Sequence, residues 1–414
     1  MERTNTFIVE GSPALRELAE NCAKLWNEVN YEKRQDYIQY RRFSWYPKHL
    51  YQKYALLVGS ATAQQIINKN NEAWKSFLAL KKLKAKGRLP SHITRVSMPR
   101  YWKRNGRREL RVIVRCDCYK IESGYLKLPK GLKLRIKGKL KWSGKQGRLE
   151  IIYDDVDEVW RGFMVVRIEV PPKRGGNKSL YIDLGVINLA MIWYEGIKHP
   201  IAFSGRSLLA DWWYWTRKIG REQSRLAKVN GVKTSRRLRS LFRIRQRRFR
   251  HAVNAIIKII VEYAHRADIS KLVLGNLKGI RKNNHGNGKI NSMIHNFWSF
   301  SYMIQRFREK AEEYGMEVVE IDEYKTSSKC PCGSGNVIKR GRLFKCIDCG
   351  IEANRDAIGV LNIGLTQGAS LPEGVINGLV AQPLLLRWDG MKWEGKSPMN
   401  NRLMNTLEAR ISRL

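Results

Sequence analysis

The sequence predicts a multidomain α+β chain: a helical unit, then a small β-barrel, then an α/β domain that carries a cysteine-rich insertion. Three observations predict it. The apolar period changes twice, from helical spacing up to about residue 84, to alternation between about 101 and 172, to strands and long helices in turn beyond 173. Both changes fall at basic stretches bearing Pro or Gly, "KGRLPSHITRVSMPRYWKRNGRR" and "PPKRGGNKS", which read as connectors. Four of the seven cysteines, Cys330, Cys332, Cys346 and Cys349, crowd into one loop-like segment.

The elements follow in order. A short strand, "TFIVEG", precedes Ser12 and Pro13, an N-cap and first-turn pair. Leu15, Leu18, Cys22, Trp26 and Val29 then recur at helical spacing, and helical pattern continues from about Tyr51 to Lys84 through Ile66, Trp74 and Phe77. Next come "LRVIVRCDCY", "GYLKLP", "LKLRIKGKLKW", "RLEIIYD" and "WRGFMVVRIEV", short alternating runs separated by turn residues, as in a small barrel. Alternation puts Cys116 and Cys118 on one strand face, where they read as small buried hydrophobes. It also puts Lys133, Arg135 and Lys137 on one face; a solvated surface and a surface set against phosphates both account for that.

Beyond the second connector, "LYIDLGVINLAMIWYEG" and "KHPIAFSG" predict three antiparallel strands. A long helical region carries Leu238, Phe242, Phe249, Val253, Ile256 and Ile260 on one stripe, surrounded by "RRLRSLFRIRQRRFRH". Strand "KLVLGN", helix "HNFWSFSYMIQRFREKAEEYG" and strand "MEVVEIDEY" come next, then the cysteines and a final helix in "NRDAIGVLNIG". Three strands, helix, strand, helix, strand and a last helix is the element order of a ribonuclease H-like fold with a ribbon inserted before its last helix. The remainder, from about Thr366, is rich in Trp, Leu and Arg and carries no motif.

Charge narrows the function. Lys and Arg number 78 against 37 acids, a formal charge of +41, which calls for a polyanionic partner, nucleic acid first. In the arginine-rich helix Arg236, Arg237, Arg243, Arg247 and Arg250 have few neighbouring acids and are candidates for phosphate contacts. A membrane partner is not expected, because no apolar run approaches the roughly 18 to 20 residues of a spanning helix. The N-terminus lacks a signal peptide's apolar segment, so a reducing interior without structural disulfides is expected.

Two constellations carry chemistry. The pairs Cys330/Cys332 and Cys346/Cys349, each followed by Gly, resemble zinc-ribbon knuckles, although a single Pro331 between the first two is shorter than the usual spacing of about two to four residues. A tetrahedral zinc is expected, and a degenerate ribbon is the alternative. Asp183 stands within the apolar run "LYIDLGV", where a carboxylate is unfavourable unless paired or metal-bound. Asp356 opens the last helix. Phosphodiester hydrolysis wants carboxylates that hold two divalent ions about 3.5 to 4 Å apart. A third acid is missing where one would expect it, since the strand "KLVLGN" offers only Gly275 at its tip.

"IDLGVINLA", "GNLKGIR", "EYKTSSKCPCG" and "CGIEANRDAIGVLNIG" together resemble the transposon-encoded TnpB proteins, relatives of the type V CRISPR effectors, and specifically their archaeal-type members. The resemblance implies a RuvC-like nuclease that uses Asp, Glu and Asp with magnesium, two ions, and a guide RNA from the transposon end that directs cleavage of double-stranded DNA beside a short flanking motif. It implies a prokaryotic protein of the nucleoid-containing cytoplasm. Asp183 and Asp356 match the two aspartates. Glu323, at the end of "VVEIDEY" beside the Gly275 strand, is the candidate third ligand, with Glu320 as second choice. Under this resemblance residues 1–11 are the first strand of a wedge barrel, 12–100 a helical recognition domain with its connector, and 101–172 the rest of the barrel. Residues 173–325 are the first part of the nuclease domain, 326–353 the zinc ribbon, 354–366 the last helix and 367–414 a tail. A nuclease-inactive RNA-guided DNA-binding regulator and a general nucleic-acid-binding transposition accessory are the competing functions.

Overall fold

Ser12 caps the first long helix as its residue type requires, its hydroxyl accepting from the backbone N–H of Leu15 at 3.1 Å, with Pro13 in the first turn. In the computed structural model, which describes residues 1–90, 92–104, 107–229, 231–276, 288–322, 328–371 and 382–395, the chain divides into two units, Met1–Glu169 and Val170–Leu414.

The first unit contains β1 (Glu2–Val9), α1 (Pro13–Tyr40), α2 (Lys48–Val58), α3 (Ser60–Ala85), the small hairpin β2 (Lys103–Arg104) and β3 (Arg107–Arg108), and then β4 (Arg111–Val114), β5 (Lys120–Glu122), β6 (Tyr125–Lys127), β7 (Lys133–Lys137), β8 (Lys145–Asp154) and β9 (Val159–Arg167). The helical pattern expected from about Tyr51 to Lys84 is carried by two helices, α2 and α3, that meet at Gly59, whose φ is +86°. Seven strands form one antiparallel sheet in the order β4-β8-β9-β1-β7-β6-β5. Among the described residues the end strands β4 and β5 pair with β8 and β6 but not with each other, so the expected barrel is here an open sheet order. Helices and sheet share a core: Leu15, Trp26, Ile66 and Tyr54 pack with Phe7, Val112, Leu149 and Ile151. The helical and β segments, read separately in the sequence, therefore bury their apolar faces against each other.

Cys116 and Cys118 are not buried strand residues. The strand stops at Val114, and Arg115 closes a turn by an ion pair with Asp117 (2.6 Å), which leaves Cys116 exposed and Cys118 half-buried. Alternation on β7 does hold: Lys133, Arg135 and Lys137 are exposed and Leu134 is buried.

The second unit contains β10 (Ser179–Asp183), β11 (Asn188–Trp193), β12 (Ile201–Ser204), α4 (Arg206–Ala227), α5 (Arg236–Arg266), β13 (Lys271–Asn276), α6 (Gly288–Ser292), α7 (Phe300–Glu312), β14 (Glu317–Asp322), β15 (Val337–Arg340), β16 (Leu343–Cys346), β17 (Glu352–Asn354), α8 (Arg355–Thr366), β18 (Leu384–Trp388) and β19 (Trp393–Gly395). Its main sheet runs β14-β13-β10-β11-β12-β18-β19. Strands β10, β11 and β12 are antiparallel neighbours, while β13 lies parallel to β10 and β14 parallel to β13.

Each sheet face has its own cover. Leu180, Ile182, Leu272 and Leu274 meet Val253, Ile256 and Ile260 of α5 and Phe307 of α7. Tyr181, Met191, Trp193 and Val273 face the other way and meet Ile358 and Leu361 of α8 together with Phe344 and Ile351 of the cysteine segment. Gly364 lets α8 come this close, since a Cβ there would lie 2.6 Å from the Trp193 ring.

Two expectations change. Phe242 sits on the stripe of α5 yet is 39% exposed; the start of α5 packs on α4 through Leu238, Ile219 and Leu226. The tail is partly structural: β18 pairs in parallel with β12, and Leu386 and Trp393 enter the core of the α5 face.

Candidate functional site

Asp183 ends β10, and its side chain shares a sheet face with Tyr181, the face that α8 covers. Asp356 lies in the first turn of that helix, where the Asn354 side chain caps the helix by accepting from the Asp356 N–H at 3.0 Å. One strand end and one helix start therefore converge. Asp356 accepts from Asn188 Nδ2 at 2.7 Å and forms an ion pair with Arg342, which stands between β15 and β16.

Electrostatics mark the pair. Burial, then the neighbouring Asp356 carboxylate, pushes the Asp183 carboxyl up from 3.8 to about 7, against the lowering pull of Arg342 and Arg355. Two carboxylates that repel in a half-buried site are a site that wants a cation. The arginine on Asp356 supplies part of that charge. Divalent-ion chemistry fits such a donor set, because hard oxygen ligands are what magnesium takes.

The third acid was expected near Gly275. In the sheet register Ile182 faces Leu274, Leu274 faces Glu320 and Gly275 faces Ile321. Asp183, Gly275 and Ile321 thus occupy one row and one sheet face. Glu320 points to the opposite face, where it is paired with Arg308 of α7, so the second-choice acid cannot join Asp183. Glu323 lies outside the described residues.

The four cysteines come together. Sγ of Cys330 is 3.5 Å from that of Cys349, Sγ of Cys332 is 3.9 Å from that of Cys346, and all four sulfurs lie within 4.8 Å of one another. A tetrahedral ion with metal–sulfur bonds of about 2.3 Å would set its sulfurs about 3.8 Å apart. The short Cys-Pro-Cys knuckle is thus no obstacle. Gly333 (φ +94°) and Gly350 (φ +72°) make the two turns. Burial pushes the Cys330 and Cys349 thiols up, whereas hydrogen bonds, led by the Cys349 backbone N–H, outweigh burial at Cys346 and bring it down to about 7.

The arginines of α5 are less bare than their sequence. Arg236, Arg237, Arg247 and Arg250 are exposed and Arg243 is half-buried. However, α4 supplies acids to this helix: Glu222 lies 3.7 Å from Arg237, and Asp211 pairs with Arg248 at 2.8 Å. Sequence reasoning missed Asn188 and Arg342 at the carboxylate site. Asn188 left a trace as a polar residue opening the apolar run "NLAMIW". Arg342, one cation among many in "KRGRLFK", left none.

Residues 163–281 match a family described as a probable transposase, OrfB of IS605, and residues 300–363 match the Cas12f1-like TNB domain. Asp183 lies in the first match; the cysteines and Asp356 lie in the second. The chain is 32% identical over 412 residues to the TnpB-like protein ORF457 of Acidianus two-tailed virus, covering 89% of this chain and 86% of that one. It is 28% identical over 236 residues to the CRISPR-associated endodeoxyribonuclease Cas12f1 of Sulfoacidibacillus thermotolerans, about half of each chain (52% of both). A solved Cas12f1-sgRNA-target DNA complex shares the fold at a TM-score of 0.51 and 15% identity, covering 84% of this chain and 81% of that one. With a relative this similar along most of both chains, the chain belongs to the TnpB-like family, whose kinship with the type V effectors the Cas12f1 matches display.

Proposed function

We propose that the protein is an RNA-guided DNA endonuclease whose second unit is a RuvC-type, ribonuclease H-like nuclease domain. The observation that carries this reading is the convergence of Asp183 and Asp356, from a strand end and a helix start far apart in sequence, into one electrostatically strained site. Three antiparallel strands extended by two parallel ones on the β10 side support the ribonuclease H-like assignment. The kinship with Cas12f1 supports an RNA guide and a DNA target.

Asp183, Asp356 and Glu323 would hold magnesium, two ions, and Cys330, Cys332, Cys346 and Cys349 would hold one structural zinc. The bound magnesium would activate water and neutralise charge on the leaving oxygen. Glu323 is proposed because it follows Ile321 by two residues, the strand period, and Ile321 shares the face of Asp183 while Gly275 beside it carries no side chain. Lys133, Arg135 and Lys137 of β7 and Arg236, Arg237, Arg243, Arg247 and Arg250 of α5 would contact phosphates.

A second reading has its own observation. Gly275 stands in the Asp183 row where an acid would complete the site, as in a guided DNA-binding regulator that does not cut. Sequencing the RNA that copurifies with the expressed protein, then offering a matching DNA duplex with magnesium, tests the proposal. A defined RNA and cleavage of the matched duplex are expected. Defined RNA with binding alone would move the function to the regulator, and heterogeneous RNA would move it to a general accessory.

A further inference from the structure

A polar row crosses the main sheet of the second unit, leading away from the carboxylates. Strand β11 is antiparallel to both β10 and β12, so Ser204 at the end of β12 stands at the same sheet edge as Asp183 at the end of β10. Two strand spacings, about 10 Å, separate β12 from β10. In the register Asn188 faces Ser204, Ser204 faces Arg387 of β18, and Arg387 faces Glu394 of β19. The row thus starts at Asn188, the donor to Asp356, and ends at the outer strand.

Strand β12 turns directly into α4. Gly205 makes that corner, where a Cβ would lie 2.9 Å from both the Val186 carbonyl oxygen and the Leu189 side chain. Glycine offers no side-chain cap, so the first N–H groups of this 22-residue helix stay open. Beside them lies a pocket of about 460 Å³ lined by Ser204, Arg206, Ser207, Arg387, Asp389 and Glu394. Ser204 is only 3% exposed, and its hydroxyl has no hydrogen-bond partner among the described residues. A buried hydroxyl is costly until something binds it.

The charged groups differ in what they already hold. Asp389 accepts from the backbone N–H groups of Met391 and Lys392 at 2.6 and 2.7 Å, and Glu394 pairs with Lys392 at 2.6 Å. Arg206 and Arg387 have neither an ion pair nor a hydrogen bond among the described residues, although Glu394 lies opposite Arg387. The capacity left open is therefore donor capacity: two guanidinium groups, a helix start and a hydroxyl. Helix N-termini and arginine forks are the donors that suit phosphate.

We propose that Ser204, Arg206, Arg387 and the start of α4 form a binding site for a single phosphate group. Inorganic phosphate, a terminal phosphate and a phosphate within a strand share that chemistry. The site uses neither the carboxylates nor a divalent ion, so it stands or falls apart from the nuclease reading. The hairpin β18–β19 would then supply a binding residue as well as core.

The test uses the full chain, washed free of nucleic acid in high salt and assayed without divalent metal. Probes are inorganic phosphate, read by isothermal calorimetry, and a labelled tetradeoxynucleotide carrying either a 5′ phosphate or a 5′ hydroxyl. Both arginines are exposed, and urea midpoints check that their loss leaves the fold intact. Arg206→Gln/Arg387→Gln should bind at least one probe roughly tenfold or more weakly than wild type, because charge-assisted hydrogen bonds are the strong ones. Ser204→Ala should weaken the same probe several-fold. Lys198→Gln/Lys258→Gln, which removes two exposed cations elsewhere in this unit, should bind within about twofold of wild type. Loss confined to inorganic phosphate and the 5′-phosphorylated probe assigns the site to a free or terminal phosphate. Loss confined to the two oligonucleotides assigns it to an internal phosphate, and loss for all three to a phosphate of any source. Unchanged affinity for every probe in the arginine variant, or an equal loss in the lysine variant, would overturn the proposal.

Discussion

Asp183 is held in the state least comfortable for a carboxylate, and its behaviour with pH follows. Its raised value, about 7 against an ordinary 3.8, means that the folded protein binds this proton more tightly than the unfolded chain. In metal-free protein the stabilisation from that proton is fully present below about 4 and lost as pH rises through about 7. Asp183→Asn should therefore unfold at higher denaturant than wild type at pH 8 and at the same denaturant near pH 4, read by urea midpoints. Magnesium affinity should show the converse, falling as pH drops below about 7, and isothermal calorimetry reads it. Arg342 competes for Asp356 and holds Asp183 down, so Arg342→Ala should shift the pH midpoint of magnesium binding upward while tightening binding at pH 8.5, where Asp183 is ionised. A midpoint that stays or falls would show that Arg342 does not act on this site. At this scale the sequence was informative about acids in apolar runs, because an unpaired carboxylate there is costly. It was silent about Arg342, whose role depends on a hairpin placed against the helix start by tertiary packing.

Among the elements, the cysteine segment and the hairpin β18–β19 depend on distant partners. Protein purified without chelator should carry about one zinc per chain by elemental analysis, since structural zinc sites of this kind bind with about 10 to 16 kcal/mol. Less than half a zinc per chain would leave the four sulfurs as a metal-free cluster. The hairpin β18–β19 places Leu386, fully buried, in the core of the α5 face. Leu386→Ala should destabilise the second unit by about 2 to 5 kcal/mol, read as a shift of the denaturant midpoint. A shift below about 0.5 kcal/mol would mean that the hairpin is not part of the core. Strands, caps and the helix start at Asp356 were legible because period and capping are local. The hairpin was not: "LLLRWDGMKWEG" has a turn signal at Asp389-Gly390, but its partner β12 lies far earlier in the chain and nothing local announces it. Likewise Cys116 and Cys118 look alternating, yet the Arg115–Asp117 pair folds them into a turn.

For the whole molecule, a charge of +41 is legible as a demand for polyanion, whereas its distribution is not. The densest arginine run in the sequence is partly neutralised by Glu222 and Asp211, whereas Arg206 and Arg387, far apart in sequence, line one pocket without ion pairs among the described residues. That α8 brings Asp356 to the Asp183 side of the sheet is the fact on which the proposed chemistry turns. The direct measurement is cleavage of a guide-matched DNA duplex, with magnesium, by wild type, Asp183→Asn and Glu323→Ala in parallel with target binding. Wild type should cut, and both variants should bind within about twofold of wild type and lose at least a hundredfold in cleavage, as expected when a charge-stabilising ligand is removed. Wild-type protein that binds the matched duplex and never cuts it, or a Glu323→Ala protein that cuts at the wild-type rate, would contradict the Asp183–Glu323–Asp356 nuclease site.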